Sequence, residues 1–301
     1  MNINVNMNRM ALLCVVIFFF TACSNDGCND LPCVYGYGEE LTNGYELQFD
    51  SFYMLPWECT DKSLVSEIRK IDFIDSLIVV QTPERVLSFD RSGKFMHTYG
   101  SRGNGEAEYV SATVMAVDRT QEYVYVFDSF TNRALAYTVK GKFISARKYK
   151  GSFFSLIQNC EFINSETLFC SKCIFNDINT VYAEFCLKTG KHVDLYHFPA
   201  ESDNTEESIG IHPFSIYADT LRCIVPFSNS LFVYTGDTLK PYLEVKTNNQ
   251  LIVQGEIENI KDFNIMTYSK LMSENKFVGF SSLFENQNYM FASFFNMNYF
   301  L

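Results

Sequence analysis

The sequence predicts an all-β fold, a β-propeller of four-stranded antiparallel blades, and three observations support it. A strand–turn–strand pattern recurs with a Gly-Lys pair in its turn, at Gly93, Gly141 and Gly190, so the period is about 48 residues. The flanking segments are rich in β-branched and aromatic residues, which favour strands. No stretch shows a convincing helical period of about 3.6 residues.

Each repeat contains a hairpin, and glycine supplies the positive φ that a tight hairpin turn needs. The four hairpins are predicted at residues 86–99, 134–147, 183–196 and 231–244. A further strand precedes each of them, at 76–81, 122–127, 166–170 and 219–225. Another apolar segment comes earlier still, for example at 68–73 and 114–118. The repeating unit is therefore four strands, which is typical of a propeller blade.

A four-stranded sheet cannot bury both of its faces alone, and radial stacking of blades covers them. The predicted blades are residues 64–112, 113–152, 153–208, 209–250 and 251–301. Six blades at this period would need more chain than remains. Two explanations are open: residues 45–53 form a strand that closes the last blade, or the last blade is incomplete because the chain is truncated. Residues 256–271 fit a short helix or a strand.

The N-terminus has the pattern of an export signal. Arg9 precedes an apolar run of about 11 residues, 10–20, which is too short to span a bilayer core of about 30 Å as a helix. Thr21-Ala22 before Cys23 resembles a lipoprotein processing site, although Phe20 stands where such sites usually have Leu. An uncleaved anchor, or an ordinary signal with an incidental cysteine, is the alternative.

The predicted organisation is therefore a signal peptide at 1–22, a lipidated Cys23 with a linker and closing strand at 23–60, and a propeller at 61–301. The acidic stretch 24–30 resembles the signal that sends Bacteroidetes lipoproteins to the outer face of the outer membrane. We expect a lipid-anchored outer-membrane protein that is exposed at the cell surface.

Composition excludes some classes of function. The net charge of −11 argues against nucleic acid and against docking to anionic lipid, since both need clustered Lys and Arg. A hydrophobic content of 47% is enough for a real core. Among the ten cysteines, Cys170 and Cys173 form a C-x-x-C pair in a strand-like run with no second pair, so buried thiols or one disulfide are expected rather than a metal or redox site.

One segment carries a family resemblance. Residues 89–109 resemble the Bacteroidetes lipoproteins described as six-bladed β-propellers, which are related to NHL-repeat propellers. Their loop of the type G-x-x-G-x-G-P-G-E-Y is matched by the residues Gly100, Gly103, Gly105, Glu108 and Tyr109. Glu106 and Ala107 replace the usual Pro-Gly, which puts the usual turn in doubt. The resemblance implies no settled enzyme activity.

No catalytic residue, metal site or cofactor is predicted. The four histidines, His97, His192, His197 and His212, do not form the set that NHL-type lyases use for zinc. The glycine-rich loop is expected to connect two blades, because a phosphate loop would need a helix N-terminus after the glycines. Carboxylate pairs such as Asp72 with Asp75, and Glu106 with Glu108, are interpreted as solvated faces or turn caps.

The predicted function is a binding or scaffold module for a glycan or peptide. The expected contact residues lie near the loops that lead into blades: Arg102, Tyr109, Phe130, Arg133 and Phe154. The alternatives are a lyase or hydrolase acting on polysaccharide or peptide, and an accessory subunit of an outer-membrane transporter. Ser76, Thr220 and Thr238 follow Asp in patterns that resemble Bacteroidetes O-glycosylation sites, with an Asx turn as the alternative.

Overall fold

The computed structural model describes residues 54–172, 180–197, 213–225, 228, 230–247, 280–285, 287 and 290–294, together with the strands at 15–17 and 33–36. Within these ranges the regular structure consists of strands and a single-turn 3-10 helix at Phe153–Leu156, so the prediction of an all-β chain is confirmed. None of the helices in the described ranges has the length and apolar character needed to cross a bilayer. The predictions for residues 45–53, 256–271 and His212 lie outside these ranges.

The chain divides into two compact units, one formed mainly by residues 47–198 and the other mainly by the N-terminal segment and residues 209–301. Two strands come first in the chain, β1 (Val15–Ile17) and β2 (Cys33–Gly36), and both belong to the second of these units. β1 lies within the apolar run that we assign to the signal peptide.

Three four-stranded antiparallel blades make up the 47–198 unit. The first contains β3 (Lys70–Ile74), β4 (Leu77–Gln81), β5 (Val86–Asp90) and β6 (Phe95–Thr98). The short parallel strands β7 (Ser101–Arg102) and β8 (Glu108–Tyr109) follow it. The second contains β9 (Val114–Asp118), β10 (Tyr123–Asp128), β11 (Arg133–Thr138) and β12 (Phe143–Lys148). The third contains β13 (Ile157–Asn164), β14 (Thr167–Lys172), β15 (Thr180–Cys186) and β16 (His192–His197).

The predicted Gly-Lys turns join the third and fourth strands of these blades. Gly93, Gly141 and Gly190 have φ values of 85°, 75° and 72°, in the left-handed region that glycine adopts at no steric cost. In the first of these turns Asp90 Oδ1 accepts hydrogen bonds from the Ser92 and Lys94 amides at 2.8 and 3.0 Å. The sequence repeat that predicted the blades therefore comes from the same glycine-containing turn in each of these three blades.

Neighbouring blades bury their facing sides against each other. The core between the first and second blades includes Val79, Val86, Met115 and Leu135, and the core between the second and third includes Phe127, Phe154 and Phe185. A tyrosine directly after the fourth strand of the first blade and of the second blade reaches the next blade: Tyr99 Oη donates to Val139 O and Tyr149 Oη donates to Leu187 O, both at 2.9 Å. These two tyrosines repeat with the blades.

The other face of the first blade is partly covered by residues that precede it. Trp57 stacks on Phe89 with ring centroids 4.9 Å apart, and Leu55 and Val65 pack against the same cluster. Residues 54–60, which we predicted as linker, therefore contribute to the packing of the first blade.

The second unit contains a fourth four-stranded blade, formed by β17 (Phe214–Tyr217), β18 (Thr220–Ile224), β19 (Ser230–Tyr234) and β20 (Leu239–Thr247). β2 adds to it as a fifth strand, parallel to β20. β21 (Phe280–Glu285) and β22 (Met290–Phe294) form a hairpin, and β1 pairs with β22. Ile224, Leu231 and Leu283 belong to the core of this unit.

The architecture is that of a β-propeller with four-stranded antiparallel blades, four of which fall within the described residues. The blade positions match those predicted from the 48-residue period, with strand ends moved by a few residues. For example, β3 begins at Lys70 and not at residue 68, and β14 ends at Lys172 and not at residue 170.

Candidate functional site: the loop end of the second blade

The turn between β10 and β11, residues 128–133, organises one end of the second blade, and we call it the anchor turn. Asp128 Oδ1 accepts hydrogen bonds from the Phe130 and Thr131 amides at 3.0 and 3.4 Å. Asp128 Oδ2 accepts from Thr131 Oγ1 at 2.6 Å and from the Val110 amide at 2.9 Å. One buried carboxylate therefore closes the turn and also holds the incoming connection from the first blade.

Arg133 fixes the glycine-rich loop, residues 100–109. Its guanidinium donates to Thr131 Oγ1 at 3.0 Å and reaches the carbonyl oxygens of Gly105 and Glu108. A charge-assisted donor on two carbonyls of a loop restricts that loop strongly. The arginine that we predicted as a ligand contact is therefore engaged in holding the loop.

Asn132 fixes the connection from the second blade to the third. It adopts φ of 51°, a left-handed conformation that Asn tolerates better than most residues. Its Nδ2 donates to Tyr149 O at 3.0 Å and to Gly151 O at 2.6 Å, and its backbone oxygen accepts from the Tyr149 amide at 2.9 Å. The anchor turn thus holds the connections on both sides of its blade.

The glycine-rich loop connects β6 to β9, as predicted, and a strand rather than a helix follows it. It folds around Glu108, whose Oε2 accepts from the Gly105 amide at 2.8 Å. A Cβ on Gly103 would stand 2.1 Å from the same oxygen, so a larger residue there would displace the Glu108 carboxylate. A turn also forms with Glu106-Ala107 in place of Pro-Gly. The Glu108 amide donates to Gly105 O at 3.2 Å, and Tyr137 Oη donates to Ala107 O at 2.9 Å.

The five predicted contact residues lie at this end of the blades but differ in exposure. Phe130, at the tip of the anchor turn, is 81% exposed, and Arg102 on β7 is also exposed. Tyr109 and Phe154 are fully buried, Tyr109 in the core of the first two blades and Phe154 in that of the second and third. The structure therefore presents Phe130 and Arg102 to solvent, while contact at Tyr109 or Phe154 would require them to leave the core.

A second group of charged residues lies on the first strands of the three blades, where β3, β9 and β13 are adjacent. Lys70 is buried, and its Nζ lies 2.6 Å from Glu161 Oε1. The same Nζ donates to Cys160 O at 2.8 Å and to Met115 O at 3.2 Å. Burial lowers the pKa of Lys70, but the charges of Glu161 and Asp72 outweigh it and raise the pKa above its ordinary value. This lysine is a charged link between three blades.

Asp72 lies beside Lys70 on the same face of β3. It is 5% exposed and pairs with Arg119, so our interpretation of Asp72 as a solvated face or turn cap is wrong. The error has a clear reason: Lys70, Asp72 and Ile74 share one face of β3, and that face packs on the second blade. Burial, followed by the negative charge of Glu161, raises the pKa of Asp72 to about 6.

The histidines do not join this group. His97 lies on β6, and His192 and His197 lie on β16, which are fourth strands of their blades, whereas the charged group lies on first strands. Among the described residues no cluster of three or more His, Cys, Asp or Glu side chains is placed to hold a metal ion. Ser76 and Thr238 are exposed in turns, and Thr220 is half-buried at the start of β18.

The anchor turn and the buried charged group were not found from the sequence. The available signal was Asp at the end of one predicted strand with Asn-Arg at the start of the next, which is typical of a side-chain-closed turn. For Lys70 the alternation on β3 points the wrong way, since the apolar Ile71 and Phe73 are exposed while Lys70 and Asp72 are buried. Neither pattern says which backbone atoms would be bound, because those belong to other blades.

Comparison with one solved structure supports the architecture. A predicted exported protein of Bacteroides fragilis superposes with a TM-score of 0.69 at 14% identity, over 88% of this chain and 74% of that one. A member of the DUF4221 family from Bacteroides vulgatus superposes with a TM-score of 0.47 at 13% identity, over 73% and 70% of the two chains. No curated protein matches this chain in sequence.

The blades define a β-propeller in which side chains of the second blade hydrogen-bond to the connections on both sides of it. The chain belongs to the family described as Domain of unknown function (DUF4934), whose model matches residues 42–301. That match includes all four described blades and both connections held by the anchor turn.

Proposed function

We propose that this chain is an exported, lipid-anchored protein of the bacterial outer membrane whose propeller binds a glycan or a peptide at the loop end of the second blade. The export part is supported by the apolar run at 10–20 and by Cys23 after Thr21-Ala22. It is also supported by the B. fragilis protein of similar fold, which is named as exported by prediction.

One observation carries the binding role: Phe130 is 81% exposed at the tip of a turn whose other side chains are occupied in holding it. Asp128, Asn132 and Arg133 all bond to backbone atoms of neighbouring loops. Exposing a phenyl ring to water is unfavourable, and the backbone that carries this ring is already held by Asp128, so ligand contact costs little backbone entropy. An aromatic side chain on a rigid support is typical of a binding hot spot.

The glycine-rich loop, which Arg133 holds against the anchor turn, favours a polar ligand with an apolar face. Arg102 is exposed on β7, and the glycine-rich loop also exposes Ser101, Asn104 and Glu106. A sugar ring can stack on the phenyl ring while its hydroxyls bond to these polar groups. A peptide with an apolar side chain next to an acidic one would fit the same pair, with the acid on Arg102. Both kinds of ligand would contact the same two exposed side chains.

The test is binding of the full chain to arrays of bacterial and host glycans and of peptides, followed by affinity measurement for each hit. Phe130→Ala combined with Arg102→Ala should weaken binding at least about tenfold, because hot-spot residues each contribute on the order of 2 kcal/mol. The fold should be unaffected, since neither side chain belongs to a buried core cluster.

Phe73→Ala combined with Arg91→Ala is the matched control. Phe73 is 61% exposed near the end of β3, and Arg91 donates to Asp75 O at the opposite end of the strands. This pair removes the same two side-chain types and should leave affinity unchanged. If both double variants bind with the same affinity as the parent chain, the loop end is not the contact surface.

Six blades in total, and a relation to NHL-repeat propellers, are part of the proposal and are supported by the resemblance of residues 89–109. An associated outer-membrane transporter remains a proposed partner, and Ser76, Thr220 and Thr238 remain proposed O-glycosylation sites. The lyase or hydrolase alternative has less support, because the charges of Lys70, Asp72 and Glu161 in the described part of the chain are directed at one another.

A further inference from the structure

Cys160 on β13 and Cys170 on β14 face each other across two antiparallel strands. They are direct partners in the register, between Asn159 opposite Ser171 and Glu161 opposite Phe169. Both side chains belong to the core between the second and third blades, so they point to the same side of the sheet. In the structure both thiols are unlinked, and the Cys160 thiol donates to Met115 O of the second blade at 3.9 Å.

This placement satisfies the geometry of a disulfide. Directly opposite residues in an antiparallel pair have Cα atoms about 4.5 or 5.5 Å apart, depending on the type of pair. A disulfide accepts Cα separations of about 4.4 to 6.8 Å and needs Cβ atoms that point toward each other. Both pair types therefore fall inside the accepted range, and the shared side of the sheet supplies the orientation.

The other described cysteines lack such a partner. Cys223 lies opposite Phe214 on one side and Phe232 on the other. Cys186 lies opposite Thr167, and Cys59 is an exposed thiol ahead of the first blade. Among the described residues, Cys160 and Cys170 are the only two cysteines that the strand register places opposite each other.

Burial determines when the bond can form. Each of the two residues is 1% exposed, and burial raises the pKa of the Cys170 thiol well above its ordinary range. A protonated thiol inside a packed core does not attack an oxidant. Oxidation would therefore take place during folding, after β13 and β14 have paired and before the second blade covers them. After that stage the same burial protects the bond from reductants.

We propose that Cys160 and Cys170 form a disulfide that cross-links the first two strands of the third blade. The reaction is thiol–disulfide exchange with a protein disulfide of an envelope oxidoreductase. One cysteine thiolate attacks that disulfide, and the second cysteine then displaces the oxidoreductase from the mixed intermediate. Two thiol protons and two electrons leave the chain, and the oxidoreductase becomes a dithiol. The supply of oxidant rests on the export that we propose above.

The bond would reinforce the point at which the blades are linked. Cys160 O accepts the hydrogen bond from Lys70 Nζ, and Glu161 is the ion-pair partner of the same lysine. A cross-link at Cys160 keeps β13 paired with β14 and so keeps both acceptors in position. The disulfide would therefore lie directly beside the buried lysine that connects three blades.

The sequence allows a direct test. The chain is expressed with its own N-terminus in a bacterium with an oxidising periplasm, and is then unfolded in denaturant and alkylated without reduction. Cleavage after Lys150 and Lys172 and after Glu161 and Glu166 separates the two cysteines into different peptides. The expected result is one linked species, about 2 Da lighter than the sum of its two thiol peptides, that separates on reduction. Cys223 should be found alkylated in the same digest.

A second arm separates this proposal from the proposed export. The chain lacking residues 1–22 is unfolded, reduced and refolded in a glutathione redox buffer, where the 160–170 linkage should also form. Linkage after refolding but not after expression would support the disulfide and contradict the export. Cys160 and Cys170 alkylated in both arms, or either one linked to Cys173, would overturn the disulfide. Cys170→Ser should leave Cys160 alkylated, and Cys223→Ser should leave the linkage intact.

Discussion

Lys70 shows how a single charged residue can connect several sheets. Its ammonium group has a carboxylate partner and two backbone carbonyl partners on β9 and β13, so its three hydrogens are all directed at acceptors. A buried charge without such partners would be strongly unfavourable. Because the partners come from two other blades, the charge favours the arrangement of the 47–198 unit over other ways of packing the same sheets.

Lys70→Met should lower the free energy of unfolding by about 3–5 kcal/mol, because the half-buried Glu161 carboxylate loses its partner and the carbonyls of Met115 and Cys160 lose a donor. The measurement is urea unfolding at pH 7. Lys188→Met is the matched control, since Lys188 and Glu166 form an ion pair at 3.4 Å with side chains 71% and 54% exposed. That variant should lose no more than about 1 kcal/mol. Similar losses for the two variants would contradict the role given to Lys70.

At the scale of the element, connections between blades are fixed by side chains of the blades rather than by their own structure. The connection from the first blade, made of the glycine-rich loop and Val110, is held by Arg133, Asp128 and Tyr137, all from the second blade. Gly100 begins this loop with φ of 74°, and a Cβ there would stand 2.3 Å from Tyr137 Oη. Glycine at this position therefore serves both the backbone conformation and the approach of the tyrosine.

Gly100→Ala and Gly151→Ala separate these two effects. Gly151 has φ of 83°, but a Cβ there would meet nothing within 4 Å. Gly151→Ala should cost about 1–2 kcal/mol for the left-handed backbone. Gly100→Ala should cost at least about 1 kcal/mol more, because Tyr137 must move and loses its bond to Ala107 O. Thermal or urea unfolding of both variants is the measurement, and equal costs would show that the tyrosine contact contributes nothing.

At the scale of the whole molecule, the proposed location depends on the chemistry of one N-terminal residue. Acyl chains on Cys23 would each contribute about 0.8 kcal/mol per buried CH₂, and two or more chains anchor a protein stably. The net charge of −11 gives no attraction to an anionic membrane surface. We therefore expect membrane association to come from the lipid and not from the propeller.

Cys23→Ala should move the protein from the membrane fraction to the soluble fraction and abolish labelling by a palmitate analogue. Fractionation of cells that express the full chain measures both effects. Cys28→Ala, five residues further on, should leave lipid labelling and membrane association unchanged. Retention of the Cys23→Ala protein in the membrane fraction would contradict the lipoprotein assignment.

The sequence predicted the blades because their signals are local. A hairpin turn needs a residue with positive φ at a fixed place, and Gly93, Gly141 and Gly190 mark that place in three blades. The candidate site could be predicted only in part. Phe130 and Arg102 were named, but Asp128 and Asn132, which hold the loops, were not. Their partners Val110 and Tyr149 belong to connections whose path no local pattern specifies.

By itself the sequence determined the strands of the blades, their period and the positions of the tight turns, since each depends on residues that are close in the chain. Only the tertiary structure decided which side chains are buried where two blades meet. Tyr109 and Phe154 have the aromatic character of ligand contacts, yet packing places both in the core. Lys70 and Asp72 have the charge of a solvated face, yet acceptors and donors from other blades make their burial favourable.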